Sequence, residues 1–240
     1  MTNIKKMAII CVVIFLFDVI IISLIKNMKG DMYKFIYTIW IYMNPNLYEA
    51  RNSIYCYEGT NVLVNKFNIR DNKTLQEVEK KIVLTKLFEL HKNKQIGDFS
   101  KSHFVSIHKY LFEDIYPFAG KFRTENIAKD YFSFAEWEYI ENELDNLLNK
   151  LKNENYLLGK NKNDLAKGLA FYLSELNVLH PFREGNGRTI REFIRQLAYK
   201  NGYIFDLTNI TSDEFLEASK KSVVDTTDLE QIINKSLSIK

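Results

Sequence analysis

Apolar side chains recur every three or four positions along much of this chain, which is the spacing of amphipathic helices. The clearest run spans residues 162–179, and a second follows a glycine-containing turn and spans residues 187–200. Residues 122–127 alternate between apolar and polar side chains, as a short strand does. The other predicted helices lie near residues 75–87, 104–111, 135–152 and 228–237, with one more capped by Thr211 or Ser212. The pattern predicts a mainly α fold with one short non-helical insert.

The run at residues 7–25 is different, because it is apolar throughout except for Asp18 and Ser23. A helix of about 19 residues spans about 28 Å, which is close to the thickness of the hydrocarbon core of a bilayer. We therefore predict a transmembrane helix over residues 7–25, with the membrane as a partner. Lysines flank the run on both sides, so its orientation stays open.

Other interpretations of this run remain open. A cleavable signal peptide is disfavoured, because no small-x-small cleavage site follows the apolar residues. The run could instead be a buried helix of a soluble protein. Translation could also begin at Met28, Met32 or Met43, and the run would then not belong to the protein.

Composition excludes several classes of protein. A formal net charge of +3 over 240 residues gives no reason to expect a nucleic acid partner. Two cysteines are too few for a disulfide framework and fit a reducing compartment. His91, His103 and His108 lie on or near predicted helices without an acidic cluster, and we interpret them as surface or capping residues rather than metal ligands.

A turn rich in glycine precedes the helix at 187–200 and predicts an anion site. Gly185, Asn186 and Gly187 can present backbone N–H groups at the positive end of the helix dipole, and phosphate is the expected anion. Arg188 and Arg191 add two guanidinium groups on the first turn, in a geometry suited to phosphate oxygens.

Two further residues add reactive groups to this turn. His180 can exchange a proton near neutral pH. Glu184 supplies a carboxylate oxygen that could hold Mg²⁺ against the same phosphates. Each feature alone is commonly structural, but a base, a metal ligand and an anion site within one turn together indicate a functional site.

The stretch from His180 to Arg191 resembles the motif of the Fic family, His-Pro-Phe-x-(Asp/Glu)-Gly-Asn-Gly-Arg-x-x-Arg, and fills all nine specified positions. The resemblance continues upstream through residues 116–123 and 126–127. It implies a Fic domain over residues 55–237, a helical bundle with a short β-hairpin flap at 122–134. Residues 1–50 would form an N-terminal extension that carries the predicted transmembrane helix.

The resemblance implies a protein adenylyltransferase, which transfers AMP from ATP to a Ser, Thr or Tyr hydroxyl of a target protein and releases pyrophosphate. His180 would be the general base, and Glu184 would hold Mg²⁺. The turn and its two arginines would bind the phosphates, Ile127 and Lys129 would lie near the nucleotide, and the target would dock on the flap. Alternatives are transfer of UMP or another phosphate-containing group, a nucleotide-binding module without turnover, and a membrane-tethered scaffold.

Regulation is predicted from a missing motif. Many Fic proteins carry a (Ser/Thr)-x-x-x-Glu-(Gly/Asn) sequence whose Glu pairs with the second motif arginine, here Arg191. No such sequence is present, and the nearest approximations end at Glu58 and Glu230. Restraint would then come from a small antitoxin-like protein, as in a toxin–antitoxin pair, or from the N-terminal extension. Because ATP and Mg²⁺ are plentiful in the cytoplasm, we place the Fic domain there, tethered to the membrane or, alternatively, free of it.

Overall fold

The computed structural model describes residues 53–93, 96–129 and 132–240. The chain divides into two compact units, one comprising Met1–Glu49 with Ala128–Phe132 and the other comprising Ala50–Ile127 with Ser133–Lys240. Of the first unit, only Ala128, Lys129 and Phe132 are described. The second unit contains all the helices described below.

The described part of the chain is mainly helical, as the sequence predicted, with two short pairs of strands, of which the sequence predicted only the flap hairpin. The strands β1 (Ala128–Lys129) and β2 (Phe132–Ser133) pair with each other, and β3 (Tyr203–Phe205) pairs antiparallel with β4 (Leu237–Ile239). Its α-helices are α1 (Asn72–Asn93), α2 (Lys101–Phe112), α3 (Ile140–Asn153), α4 (Lys162–Leu179), α5 (Asn186–Lys200), α6 (Ser212–Lys221) and α7 (Thr227–Ser236).

Helix α4 is the centre of the core and packs against α3, α5 and α7. Leu165, Leu169, Leu173 and Leu176 are at most 1% exposed. Burying each such leucine contributes about 1.5–3 kcal/mol relative to leaving it in water. The predicted core helix is therefore confirmed. Because α4 is buried in the core, it fixes the position of the residues that follow its C-terminal end.

The ends of α4 follow from its flanking residues. Asn161 caps the first turn, where its Oδ1 accepts a hydrogen bond from the Asp164 N–H at 3.0 Å. At the other end, His180 adopts the left-handed conformation with φ +46°, while its N–H still donates to the Leu176 carbonyl at 3.0 Å. The chain consequently leaves the helix abruptly at His180.

The boundary predicted for α3 was wrong by several residues. The sequence predicted a helix from residue 135, whereas a 3₁₀ turn at Trp137–Tyr139 comes first and α3 begins at Ile140. The N–H of Ala135 donates to the Val178 carbonyl, and the N–H of Trp137 donates to the Asn126 side chain. These bonds hold the segment in a conformation that cannot continue an α-helix.

The fold class also requires a correction. The transmembrane helix was predicted over residues 7–25, which lie outside the described residues. Within 53–93, 96–129 and 132–240, no helix combines the length and the apolar character needed to cross a bilayer. An apolar run of that length suits a helix buried in protein as well as one in lipid, so hydropathy alone could not decide between them. The transmembrane helix and the membrane partner are therefore not supported.

Candidate active site

His180 lies at the end of α4, where its imidazole contacts Asn177 and Phe134. Its Nδ1 lies 3.2 Å from the Asn177 carbonyl oxygen. A carbonyl can only accept, so this contact requires the proton to be on Nδ1, which leaves the basic lone pair on Nε2. The ring stacks on Phe134 with centroids 3.7 Å apart. The imidazole is thus held in one tautomer and one orientation.

The turn after His180 is anchored in the core by Phe182. This side chain is fully buried and stacks on His108, with ring centroids 3.7 Å apart, and on Phe104 at 5.6 Å. Asn186 closes the turn: its Oδ1 accepts from the Phe182 N–H at 2.8 Å, and its Nδ2 donates to the Phe182 carbonyl at 2.7 Å. The Asn186 side chain is therefore committed to the loop, so any ligand would meet its backbone N–H.

The first turn of α5 carries the predicted anion-binding donors. Gly185 precedes the helix with φ +81°, and Gly187 lies in the first turn. The first N–H groups of any α-helix have no intrahelical acceptor, and the dipole adds positive potential at the same place. The structure therefore places the predicted backbone donors at one helix N-terminus beside the end of α4.

Gly185 is required by space as well as by backbone conformation. A Cβ on Gly185 would lie 2.3 Å from two ring atoms of Phe112, which is fully buried. We expect Gly185→Ala to lower the free energy of unfolding by about 2–3 kcal/mol, from left-handed strain plus overpacking. Gly159 is the matched control, because it has the same φ of +81° and nothing within 4 Å. Denaturant unfolding should show a loss of only about 1–2 kcal/mol for Gly159→Ala, and equal losses would contradict the steric argument.

His108 packs against the turn that follows His180, and its position was misinterpreted from the sequence. It is fully buried rather than at the surface. Its Nδ1 accepts from the Gly120 N–H at 2.8 Å, so its Nε2 carries the proton that is donated to the Glu184 carbonyl at 2.9 Å. Burial lowers the pKa of His108 to about 4, and the side chain is neutral at physiological pH. Its partners are backbone atoms distant in sequence, so no local pattern could have identified it.

Glu184 is the carboxylate of the site and is partly open to solvent, with its side chain 42% exposed. Its Oε1 accepts from the Gly185 N–H at 2.9 Å and lies 3.4 Å from Nη2 of Arg188. In the part of the chain that the structure describes, no group of three His, Cys, Asp or Glu side chains could hold a metal ion. A cation at Glu184 would need further oxygen ligands from a substrate and water, which is how Mg²⁺ is usually held beside phosphates.

The two arginines of α5 differ in their partners. Arg188 places Nη1 2.5 Å from Oε1 of Glu79 and stacks its guanidinium over Phe112. Among the described residues, Arg191 has no carboxylate within ion-pair distance, and its guanidinium lies over the ring of Phe215. Burial, and then the charge of Arg188, lower the pKa of Arg191. A partly buried cation without an anion is costly unless an anionic ligand compensates it.

Of the two flap residues predicted to lie near the nucleotide, Ile127 belongs to the second unit. Ile127 is buried, and its carbonyl accepts from the Phe134 N–H at 3.3 Å, which closes the base of the hairpin. Residues 122–127 form no strand, contrary to the prediction, because the Arg123 N–H donates to Pro181 instead of to a strand partner. Lys129 is exposed and belongs to the first unit, so its contact with a nucleotide stays a prediction.

Arg123 organises this region, although no role was predicted for it. It is 1% exposed, and within the described residues its guanidinium donates to backbone carbonyl oxygens. Nε donates to His180 at 2.8 Å, Nη1 donates to Glu125 at 2.8 Å, and Nη2 donates to Ala135 and, at 3.3 Å, to Leu179. Burial lowers the pKa of Arg123 to about 10, so it remains charged. One side chain thus fixes the end of α4 against the base of the flap.

Comparison with known proteins gives consistent matches. The Fic/DOC family model matches residues 98–198. Protein adenylyltransferase VbhT of Bartonella schoenbuchensis is 40% identical over 182 residues, which are 76% of this chain and 38% of VbhT. Probable protein adenylyltransferase y4lH of Sinorhizobium fredii is 35% identical over 73% of this chain and 90% of its own. Probable protein adenylyltransferase Fic of Escherichia coli is 31% identical over 82% of this chain and 97% of its own.

Solved structures share the fold. The BepC protein of Bartonella tribocorum, crystallised with bound AMPPNP, has a TM-score of 0.73 and 24% identity, covering 78% of this chain and 97% of that one. An N-terminal Fic domain from Bartonella quintana with bound ADP has a TM-score of 0.74 and 24% identity, covering 78% of this chain and 95% of that one. At this identity the likeness establishes the fold.

Proposed function

The chain belongs to the Fic/DOC family, and from that premise we propose that its domain over residues 55–237 is a protein adenylyltransferase. It transfers AMP from ATP to a Ser, Thr or Tyr hydroxyl of a target protein and releases pyrophosphate. The relatives named as protein adenylyltransferases support the activity, and the structures of Fic proteins with bound AMPPNP and ADP support the nucleotide.

The proposal rests mainly on the surroundings of the Arg191 guanidinium. It lies on the first turns of α5 beside a second guanidinium, with no carboxylate at ion-pair distance among the described residues. Two neighbouring guanidinium groups at a helix N-terminus are suited to a polyphosphate, because each terminal oxygen can accept a charge-assisted hydrogen bond. Arg188 and Arg191 bind the β- and γ-phosphates, and the N–H groups of Asn186 and Gly187 stabilise charge on the α-phosphate, whereas the N–H of Gly185 is donated to Glu184.

His180 acts as the general base. The target hydroxyl gives its proton to Nε2 of His180, and its oxygen forms a bond with the α-phosphorus. The bond from that phosphorus to the bridging oxygen breaks, and its electron pair leaves with pyrophosphate. The proton on Nδ1, fixed by the Asn177 carbonyl, keeps Nε2 as the accepting nitrogen.

Glu184 fits a Mg²⁺ ligand, because its carboxylate is partly exposed at the start of α5, next to the arginines proposed to bind phosphate. Bound there, Mg²⁺ would neutralise charge on the phosphates of the leaving group. The carboxylate already accepts from the Gly185 N–H, which fixes its orientation without occupying both oxygens.

The target docks on the flap at residues 122–134, because an extended segment can pair with the edge of a β-hairpin. The site acts in the cytoplasm, where ATP and Mg²⁺ are available. Because Arg191 lacks a carboxylate partner in the described part of the chain, an antitoxin-like inhibitor would act by supplying one from a separate protein.

Labelled nucleotides test the proposal. Purified protein is incubated with cell lysate and with ATP labelled at the α- or the γ-phosphate. Protein labelled only by the α-phosphate supports adenylylation, and labelling by the γ-phosphate would indicate a kinase. A parallel reaction with α-labelled UTP distinguishes transfer of UMP. No labelling by any donor, with ATP binding intact, would indicate a binding module without turnover.

The absence of a built-in inhibitory glutamate predicts two neutral substitutions. Glu58 is exposed, and Glu230 is partly buried and accepts from the Thr226 hydroxyl at 2.6 Å, so neither is paired with Arg191. Glu58→Gln and Glu230→Gln should each leave the rate of AMP transfer within about twofold of the parent, since neither carboxylate contacts Arg191 and substitutions away from a site usually have small effects. A tenfold or larger increase in either variant would reveal an inhibitory role and overturn the prediction.

A further inference from the structure

Glu79 reaches the site from α1, although it lies 101 positions before His180 in the sequence and outside every motif. The residue is 8% exposed, and both of its carboxylate oxygens are occupied. Oε1 lies 2.5 Å from Nη1 of Arg188, and Oε2 accepts from the Tyr116 hydroxyl. A buried carboxylate with two such partners has essentially one position available to it.

Tyr116 is the donor in its hydrogen bond with Glu79. The residue is 3% exposed, and burial together with the charge of Glu79 raises the pKa of Tyr116. The hydroxyl therefore stays protonated and acts as the donor, and Glu79 is the acceptor from both partners. The chain of contacts runs from the turn after α2, through α1, to the first turn of α5.

Arg188 needs such an anchor because of its neighbour. Burial, and then the charge of Arg188, lower the pKa of Arg191, so the two guanidinium groups, three positions apart on α5, repel each other. The Arg188 side chain is 25% exposed and has water on one side into which it could turn. A fixed carboxylate offsets the repulsion and holds the guanidinium beside Arg191 before any ligand arrives.

We propose that Glu79, held in place by Tyr116, is a positioning residue that orients Arg188 toward the β- and γ-phosphates of ATP. This inference rests on the proposed function, since it assumes that a nucleotide occupies the site. It assigns part of the nucleotide site to α1.

The same contact would have the opposite effect if Glu79 competed with the phosphates for Arg188. Removing Glu79 would then free a cation and tighten ATP binding. In the positioning role, removing Glu79 loosens Arg188 and weakens ATP binding. The sign of the change in affinity therefore decides between the two.

The test compares binding of ATP and AMP by calorimetry in the parent, Glu79→Gln, Glu79→Asp and Tyr116→Phe. Glu79→Gln keeps the size and removes the charge, and Glu79→Asp keeps the charge and shortens the reach. We expect the dissociation constant for ATP to rise about 5- to 20-fold in each, because a charge-assisted contact is lost or misplaced. AMP lacks the β- and γ-phosphates, so its dissociation constant should stay within about twofold.

Glu89 provides the matched control. It lies on the same helix, and its Oε2 accepts from the Tyr110 hydroxyl at 2.6 Å, without an arginine in the pair. Glu89→Gln removes the same kind of Tyr–Glu contact and should leave both affinities within about twofold, because it is remote from the phosphates.

Each result decides a different question. A parent protein that binds neither nucleotide would overturn the proposed function itself. A parent that binds ATP, with unchanged or tighter binding in Glu79→Gln, would overturn the role of Glu79 alone. Equal weakening of ATP and AMP would show a general loss of structure and also overturn it. If Glu79→Gln does not fold, Tyr116→Phe, which keeps both charges, gives the same comparison.

Discussion

Replacement of His180 with Ala should slow AMP transfer to the target about 10²–10⁴-fold, the range that a general base contributes. Binding of ATP should stay within about twofold of the parent, because the phosphate contacts are assigned to the arginines and the N–H groups of α5. The two quantities are separable, since one is a rate of labelling at saturating α-labelled ATP and the other is a dissociation constant.

The structure explains why this variant should stay folded. The turn from Phe182 to Asn186 is held by the Asn186 side chain and by His108, and not by the imidazole of His180. Truncation removes the stacking on Phe134 and the bond to Asn177, and the backbone of His180 still receives the hydrogen bond from Arg123. The loop should therefore keep its shape without the base.

His91→Ala is the control for removing an imidazole elsewhere. Its side chain is 52% exposed and contacts Glu192 of α5. The rate of transfer by His91→Ala should stay within about twofold, as for most partly exposed positions away from a site. If His180→Ala labels the target at more than about a tenth of the parent rate, His180 is not the base.

Replacement of Arg123 with Met should lower the free energy of unfolding by about 3–5 kcal/mol. Methionine fills most of the volume, but four carbonyl oxygens, one buried and three partly buried, lose this donor. Each unpaired acceptor costs about 1–3 kcal/mol, and partial entry of water reduces the sum. Denaturant unfolding measures the change directly, and the midpoint should fall without a change of slope.

Arg70→Met is the matched control for this substitution. Arg70 is exposed, and its guanidinium lies over the ring of Tyr57 at 4.3 Å, a contact worth about 0.5–1 kcal/mol at the surface. A loss below about 1 kcal/mol in Arg123→Met, equal to that of the control, would show that the buried network does not stabilise the fold.

The parts of the site that could be predicted are those encoded locally. The helical spacing of 162–179 and 187–200 placed α4 and α5, and the residues between them supplied the motif. A short contiguous motif carries its own geometry, because its hydrogen bonds join residues a few positions apart, such as Asn186 and Phe182.

The supporting residues could not be predicted, because their partners are distant in sequence. Glu79 meets Arg188, His108 meets Glu184, and Arg123 meets His180. A single sequence contains no signal for such pairs, since each residue sits in an ordinary local pattern. Sequence reasoning therefore identified the groups proposed to touch the substrate and missed the groups that hold them.

Arg123 also affects how freely the surrounding sequence can vary. The acceptors of its guanidinium are main-chain oxygens, which every amino acid supplies. As far as these bonds are concerned, positions 125, 135 and 179 can change without cost, whereas only arginine offers five donors in a planar fork. Substitutions at positions 125, 135 and 179 should thus leave the hydrogen bonds of Arg123 in place, whereas tolerance at residue 123 itself should be very low.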